Sequence, residues 1–472
     1  MTSELSLRAR LEALPAEWSI DLRPEIQRRL AEQPRTVVVL DDDPTGTQTV
    51  HSIPVLTEWP VPALAEELAR EQPAFYVLTN SRSMPLAAAE ALNAEIGRNL
   101  AEAARQTNRE FVVVSRSDST LRGHFPGEVA ALDAALGGGC DGWLLAPYFL
   151  EGGRYTLDDV HYVASGDLLT PAGETEFARD PAFGYRASNL REWVEEKSAG
   201  MVRAADVASI SLDDIRRGGP ERVAERLMAL NDGRMCVVNA ANPRDLDVVV
   251  AGLLDAEARG KRFLYRTAAS FVAARAGLTS RSLLTRDELA LPANGGGLTM
   301  VGSFVPRTTS QVAALVERTG VPPIEASVAA LIDDAQRDAE ISRVAQAAEE
   351  RLGRGDDVAI VTSRQLIAGA DAGASLDLGR RVSDGLCAIL QAIETRPRYL
   401  IAKGGITSSD LATQGLGVRR AMVLGQILPG VPVWRLGDES RYPGLVYVVF
   451  PGNVGGPEAL ADVVELLHRT RD

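Results

Sequence analysis

Short runs of β-branched and aliphatic residues recur along this chain at nearly regular intervals, and that rhythm constrains the fold more than any other feature. TVVVLD (36–41), FYVLTN (75–80), FVVVSR (111–116), GWLLAP (142–147), ADVASI (205–210) and MCVVNA (235–240) are almost continuously apolar and bounded by polar turns. A strand wetted on one face alternates apolar and polar residues, so unbroken runs predict strands covered on both faces. Between several of them lie Ala-, Leu-, Glu- and Arg-rich stretches, at 61–72, 86–107 and 219–231, whose apolar spacing suits amphipathic helices. The alternation predicts an α/β fold, a mostly parallel sheet flanked by helices.

Residues 276–297 interrupt the rhythm with a proline and the triple glycine Gly295 to Gly297. A second alternating series follows, with strands expected near 298–302, 322–326, 358–362, 398–402, 420–425 and 445–450. Helices are expected at 308–318, 338–352, 376–394 and 457–469. The division expected is therefore a helical extension at 1–35, one domain at 36–276, a linker at 277–297 and a second α/β domain at 298–472. A length of 472 residues accommodates this.

Composition removes several functional classes. No apolar run reaches the ~18 residues of a spanning helix, and the first residues lack the pattern of a secretory signal, which points to a cytoplasmic protein away from membranes. A formal charge of −14 opposes attraction to a nucleic-acid backbone. Cys140, Cys236 and Cys387 lie far apart with no histidines at ligand spacing, so neither a disulfide framework nor a resident metal site is expected.

Ligands of doubly wound sheets collect at the carboxyl ends of strands, so chemistry is expected in the residues that follow each run. The first run ends in Asp41-Asp42-Asp43-Pro44-Thr45-Gly46-Thr47. Adjacent carboxylates are costly unless a cation or proton offsets them. One of them could take a proton from a substrate hydroxyl while Gly46 lets the backbone approach; a solvated Asp-Pro turn is the alternative. Arg82 and Ser83 follow the second run, and Arg116, Ser117, Asp118, Ser119 and Arg122 follow the third. A guanidinium beside hydroxyls suits a polyhydroxy acid, whereas a helix-capping loop explains either stretch taken alone.

The polar segment 151–181 reads as an excursion covering the sheet end, too polar for core, with His161 a surface or supporting residue rather than a base. Arg266, at a strand-to-helix junction, suits an anion or a structural ion pair. In the second half, Gly302-Ser303, then Lys403-Gly404-Gly405 with Thr407, then Gly452 to Gly455 follow three apolar runs. Their glycines admit phosphates, Lys403 can offset phosphate charge and Thr407 can cap a helix, although plain strand-to-helix turns would look similar. No Walker loop occurs, and no GxGxxG follows the first strand as a nicotinamide dehydrogenase would require.

At these residues the sequence resembles the four-carbon acid sugar kinase family. The likeness runs through Asp42-Asp43-Pro44-Thr45-Gly46, Ser81-Arg82-Ser83, Arg116 to Gly123, Arg266 to Ser270, Gly302-Ser303, Gly404-Gly405 and Pro429-Gly430. It implies an N-terminal domain that binds the acid sugar, a C-terminal domain that binds ATP with Mg2+, and phosphoryl transfer in the cleft between them. Asp43 and then Asp42 become candidate bases; Arg82, Ser83, Arg116, Ser117, Asp118, Ser119, Arg122 and Arg266 become acid-sugar ligands. Gly302, Ser303, Lys403, Gly404, Gly405, Thr407, Gly452 and Gly455 become nucleotide contacts. Ile406 stands where the family commonly has aspartate, and Thr47-Gln48-Thr49 where its first motif continues with alanine. A silent acid-binding protein of the same fold and another α/β enzyme of hydroxy acids are the rivals. The oligomeric state stays open, a homodimer included.

Overall fold

The apolar runs form strands close to the positions their sequence predicts. A computed structural model describes residues 5–279, 281–303, 305–364, 372–452 and 454–468, and these divide into two units, Met1–Thr49 with Glu58–Ser280 and Val50–Thr57 with Arg281–Asp472.

In the first unit seven strands run parallel in the order Ala208–Ile210, Arg234–Val238, Gly142–Ala146, Phe263–Thr267, Phe111–Arg116, Thr36–Asp41 and Ala74–Leu78. Their interior residues are buried, as unbroken apolar runs require. Local chemistry sets the flanking helices. Leu86–Thr107 starts after Pro85 and stops where Asn108 turns left-handed at φ +49°. Pro243–Ala258 carries a reciprocal cap between Asn242 and Asp245. The extension supplies helices Leu7–Glu12 and Arg23–Glu32, the second tied down by Arg23–Asp247 at 2.5 Å and Arg29–Asp255 at 2.7 Å.

Segment 151–181 departs from its expectation. Arg154–Leu157, Val160–Ser165 and Leu168–Pro171 form an antiparallel sheet extended by Leu5–Ser6. Tyr155, Thr156, Leu157, His161 and Tyr162 are buried in it. Its polar side chains satisfy one another across strands, as Thr156 does His161, which lets a polar sequence enter a core.

The second unit's strands run Ile53–Leu56, Arg420–Leu428, Val431–Leu436, Val446–Phe450, Leu400–Lys403, Leu298–Val301, Val358–Thr362 and Pro323–Ala326. The first four pair antiparallel and the remainder parallel. The short strand at 53–56 lies within the range expected for the first domain yet pairs with Arg420–Leu428. Residues 281–297 are no free linker. Leu284 and Leu289 sit in the same core as Val301, Ile401 and Phe450, and the Leu284 amide donates to the Gln426 carbonyl at 2.7 Å. Two isolated leucines carry no periodic signal, so sequence alone leaves them in a loop. Among the described residues no helix is long and apolar enough to cross a membrane.

Candidate active site

Parallel register brings the charged loops of the first unit together. Asp41 pairs with Arg116, and Arg116 in turn with Thr267, across three neighbouring strands. The loops that follow these strands, and the one after Ala74–Leu78, therefore open on the same sheet end.

The carboxylates differ sharply in their surroundings. Asp43 accepts from the Thr45 amide at 2.8 Å and the Thr45 hydroxyl at 2.6 Å, and it is paired with Arg82. Burial works against its charge, but Arg82 and Thr45 prevail and hold it below the usual carboxylate range. Asp118 is likewise held ionised against burial by Arg122, Nε 2.8 Å away, and by Arg82 at 3.4 Å. Asp41 keeps one oxygen 3.1 Å from Arg116 Nη1 while the other is unpartnered; burial dominates and pushes it up to about 7. Asp42, only 4% exposed, accepts no hydrogen bond on either oxygen and lies 3.8 Å from Arg82. Burial, only partly offset by Arg82 and Arg116, raises it to about 6.

Arg266 has no carboxylate partner among the described residues. Its Nη2 donates to the Arg122 carbonyl at 3.0 Å, and its guanidinium lies over the rings of Phe125 and Trp193. Gly123, at φ +121°, passes so close that a Cβ would come within 3.3 Å of Asp42 and Arg266. Buried and unpartnered atoms gather here: both Asp42 oxygens, one of Asp41, Ser117 Oγ, Thr267 Oγ1 and Arg116 Nε. Each such atom left unsatisfied costs about 1–3 kcal/mol, so their concentration at one strand end makes this the candidate site.

The antiparallel sheet holds the loop at 117–124 in place. His161 Nε2 lies 2.8 Å from the Ser119 carbonyl, which requires that nitrogen to carry the proton, leaving Nδ1 to accept from Thr156 at 3.0 Å. Burial pushes His161 down to about 4, so it stays neutral near pH 7 and its role is support. The Tyr185 hydroxyl donates to the Thr120 carbonyl at 2.6 Å. Ser83 stands apart from the cluster: it is exposed and donates to its own turn, at the Asn80 carbonyl.

In the second unit Leu298–Val301, Leu400–Lys403 and Val446–Phe450 are adjacent and parallel, which draws three glycine loops together. Gly302 packs against Thr407, Gly404 (φ +123°) against Ser303, and Gly452 against Ser303 Oγ. The Thr308 hydroxyl lies 3.1 Å from Ser303 Oγ and 3.2 Å from the Gly452 carbonyl. Gln311 Nε2 braces the last loop through the carbonyls of Val454 and Gly456, while Gly455 packs against the helix Ala459–Leu467. Gly405 opens the helix Gly405–Asp410.

Lys403 does not face outward as its expected phosphate role requires. Its ammonium is fully buried, donates to the Pro451 carbonyl at 2.6 Å and lies 4.1 Å from the centre of the Phe450 ring. Burial with no anionic partner pulls it down to about 7. The side chain braces the loop from beneath.

Gly302→Ala tests this packing. The added carbon would sit 2.2 Å from Thr407 Oγ1 and 3.1 Å from Leu386, so overpacking is expected to cost about 1–3 kcal/mol. Nucleotide affinity, read by calorimetry, should fall while affinity for an acid ligand of the first unit is retained; unchanged nucleotide affinity would separate these loops from that role.

Fold and site define a class: two-part α/β proteins with acid-rich loops in the first part and glycine loops in the second. Residues 37–275 match the sugar-binding N-terminal domain family and residues 298–460 the nucleotide-binding C-terminal domain family. The chain belongs to the four-carbon acid sugar kinase family. A curated 3-oxo-tetronate kinase from Cupriavidus necator is 28% identical over 409 residues, spanning 84% of this chain and 87% of that protein. Among solved structures, a Salmonella typhimurium LT2 protein covers 91% of this chain and 98% of its own, with TM-score 0.67 and 18% identity. A Haemophilus influenzae protein from a domain-of-unknown-function family covers 91% and 100%, with TM-score 0.60 and 19% identity. These two structures share the fold.

Several residues of the site escape sequence reasoning. Phe125, Trp193 and Tyr185 come from separate elements, and no local pattern ties them to Arg266 or to the loop at 117–124. Thr308 had a weak signal, as a hydroxyl one turn into the helix after Gly302-Ser303.

Proposed function

We propose that the protein is an ATP-dependent kinase that phosphorylates a hydroxyl of a small sugar acid, a four-carbon tetronate or 3-oxo-tetronate. The observation that carries this reading is Asp42, buried, accepting no hydrogen bond and raised to about 6, near Arg266, a buried guanidinium with no carboxylate at ion-pair distance among the described residues. In this reading Arg266 takes the substrate carboxylate, with Ser117 beside it for a substrate hydroxyl. Asp42 accepts the proton of the reacting hydroxyl, for which a carboxylate titrating near 6 is suited. Asp43, engaged by Arg82 and Thr45, fixes the loop and the local charge. The name of the Cupriavidus necator relative supports the substrate class.

The glycine loops of the second unit supply backbone amides and the hydroxyls of Ser303, Thr308 and Thr407, donors suited to phosphate oxygens. Mg2+ would enter with the nucleotide, bound to its phosphate oxygens. That ion would neutralise charge on the transferring phosphoryl group. A second reading, an acid-binding protein without phosphoryl transfer, rests on Ile406, 55% exposed beside the glycine pair where the family commonly has aspartate.

The deciding assay is ADP release with Mg-ATP against four- to six-carbon hydroxy and oxo acids, each compared with a no-acid control. Acid-dependent ADP with a matching phosphorylated acid is expected. Acid binding without any turnover would replace the kinase with the second reading.

A further inference from the structure

With the ammonium of Lys403 bound beneath the glycine loops, a side-chain cation of the second unit that meets the phosphates would come from elsewhere. Arg364 is placed for this. It follows the strand Val358–Thr362, whose parallel neighbour Leu298–Val301 leads into Gly302-Ser303. The Thr362 hydroxyl donates to the Val301 carbonyl at 3.3 Å, keeping the two strand ends together. The Arg364 guanidinium donates to Thr309 Oγ1 at 3.2 Å, and Thr309 adjoins Thr308, whose hydroxyl touches Ser303. No carboxylate pairs with Arg364 among the described residues, and its Nη1 is buried without any partner. Other arginines of this unit are engaged by acids, as Arg318 is by three and Arg381 by Asp334, or by backbone carbonyls, as Arg337 and Arg441 are. Burial without compensation also lowers the basicity of Arg364, as expected of a cation awaiting an anion.

We infer that Arg364 is a phosphate-binding residue of the second unit, gripping the polyphosphate of a nucleoside di- or triphosphate beside Ser303 and Thr308. The inference rests on the nucleotide role proposed for this unit. A guanidinium offers two parallel N–H donors to a phosphate, and here the Thr309 hydroxyl holds its plane in place.

Calorimetry of ATP, ADP and adenosine binding to the full chain and to Arg364→Gln and Arg364→Lys tests it. The Gln variant should lose about ten- to a hundredfold in affinity for ATP and ADP, with adenosine unaffected, and Lys should recover part of the loss. Retained ATP affinity in the Gln variant, or an equal loss for adenosine, would overturn the assignment. Should the Gln variant fail to fold, the Lys variant decides, since the lost fork must still weaken ATP relative to adenosine. A wild-type chain that binds none of the three would instead remove the nucleotide role itself.

Discussion

Replacing Asp42 by asparagine is expected to lower acid-dependent turnover by about 10²–10⁴-fold, the usual contribution of a general base, and to make the fold more stable at pH 8. The two effects share one cause. Asp41 and Asp42 titrate near 7 and 6 rather than 3.8 because burial disfavours their charge. Between about pH 4 and pH 7 the folded protein therefore holds protons that the unfolded chain has released, and stability falls as pH rises through that window. Holding Asp42 at about 6 instead of 3.8 corresponds to about 3 kcal/mol, so Asp42→Asn should raise the melting temperature at pH 8 by about 5–10 °C and flatten its pH dependence. In the wild type kcat/KM should fall below about pH 6 as Asp42 takes up a proton. Thermal melts and initial rates from pH 5 to pH 9 check both arms. Near-normal turnover in Asp42→Asn, with loss in Asp43→Asn, would move the base to Asp43.

Arg82→Ala should have the opposite effect on stability. One guanidinium lies against Asp43, Asp118 at 3.4 Å and Asp42 at 3.8 Å, and without it three buried carboxylates keep only partial compensation. Breaking such a network costs about 3–5 kcal/mol, on the order of 10 °C in melting temperature for a domain of this size. The apparent affinity for the acid should weaken with it. Arg82→Lys should restore part of the stability but little of the affinity, because an ammonium cannot reproduce the planar fork. A melting temperature unchanged in Arg82→Ala would show that the carboxylates protonate instead of relying on Arg82.

The sheet at the centre of each unit was legible where its strands are buried on both faces, since continuous apolar runs such as TVVVLD and MCVVNA have few alternative placements. Ile53–Leu56 and Val431–Leu436 were not. The first is four residues long and contains Pro54; the second lies three residues after the end of Arg420–Leu428, too near for separate periods to emerge. Asp42, Arg82, Asp118 and Arg266 could be nominated as a group because their loops follow strands. Which carboxylate is left without a hydrogen bond depends on Thr45 turning to Asp43, on Arg116 reaching Asp41, and on aromatic rings brought by distant segments. The inward turn of Lys403 was equally invisible, since a lysine after a strand reads as exposed until the carbonyls of 451 and 452 are seen to receive it.

The strand Ile53–Leu56 gives synthesis a waiting period. Its partner, Arg420–Leu428, leaves the ribosome hundreds of residues later, roughly 20–70 s at ~5–20 residues per second. Throughout that interval the short apolar segment lacks the strand Arg420–Leu428 against which it pairs. A chaperone that covers residues 50–57 would protect the nascent chain, and a fragment begun at 281 would expose the flank of Arg420–Leu428 to pairing with other molecules.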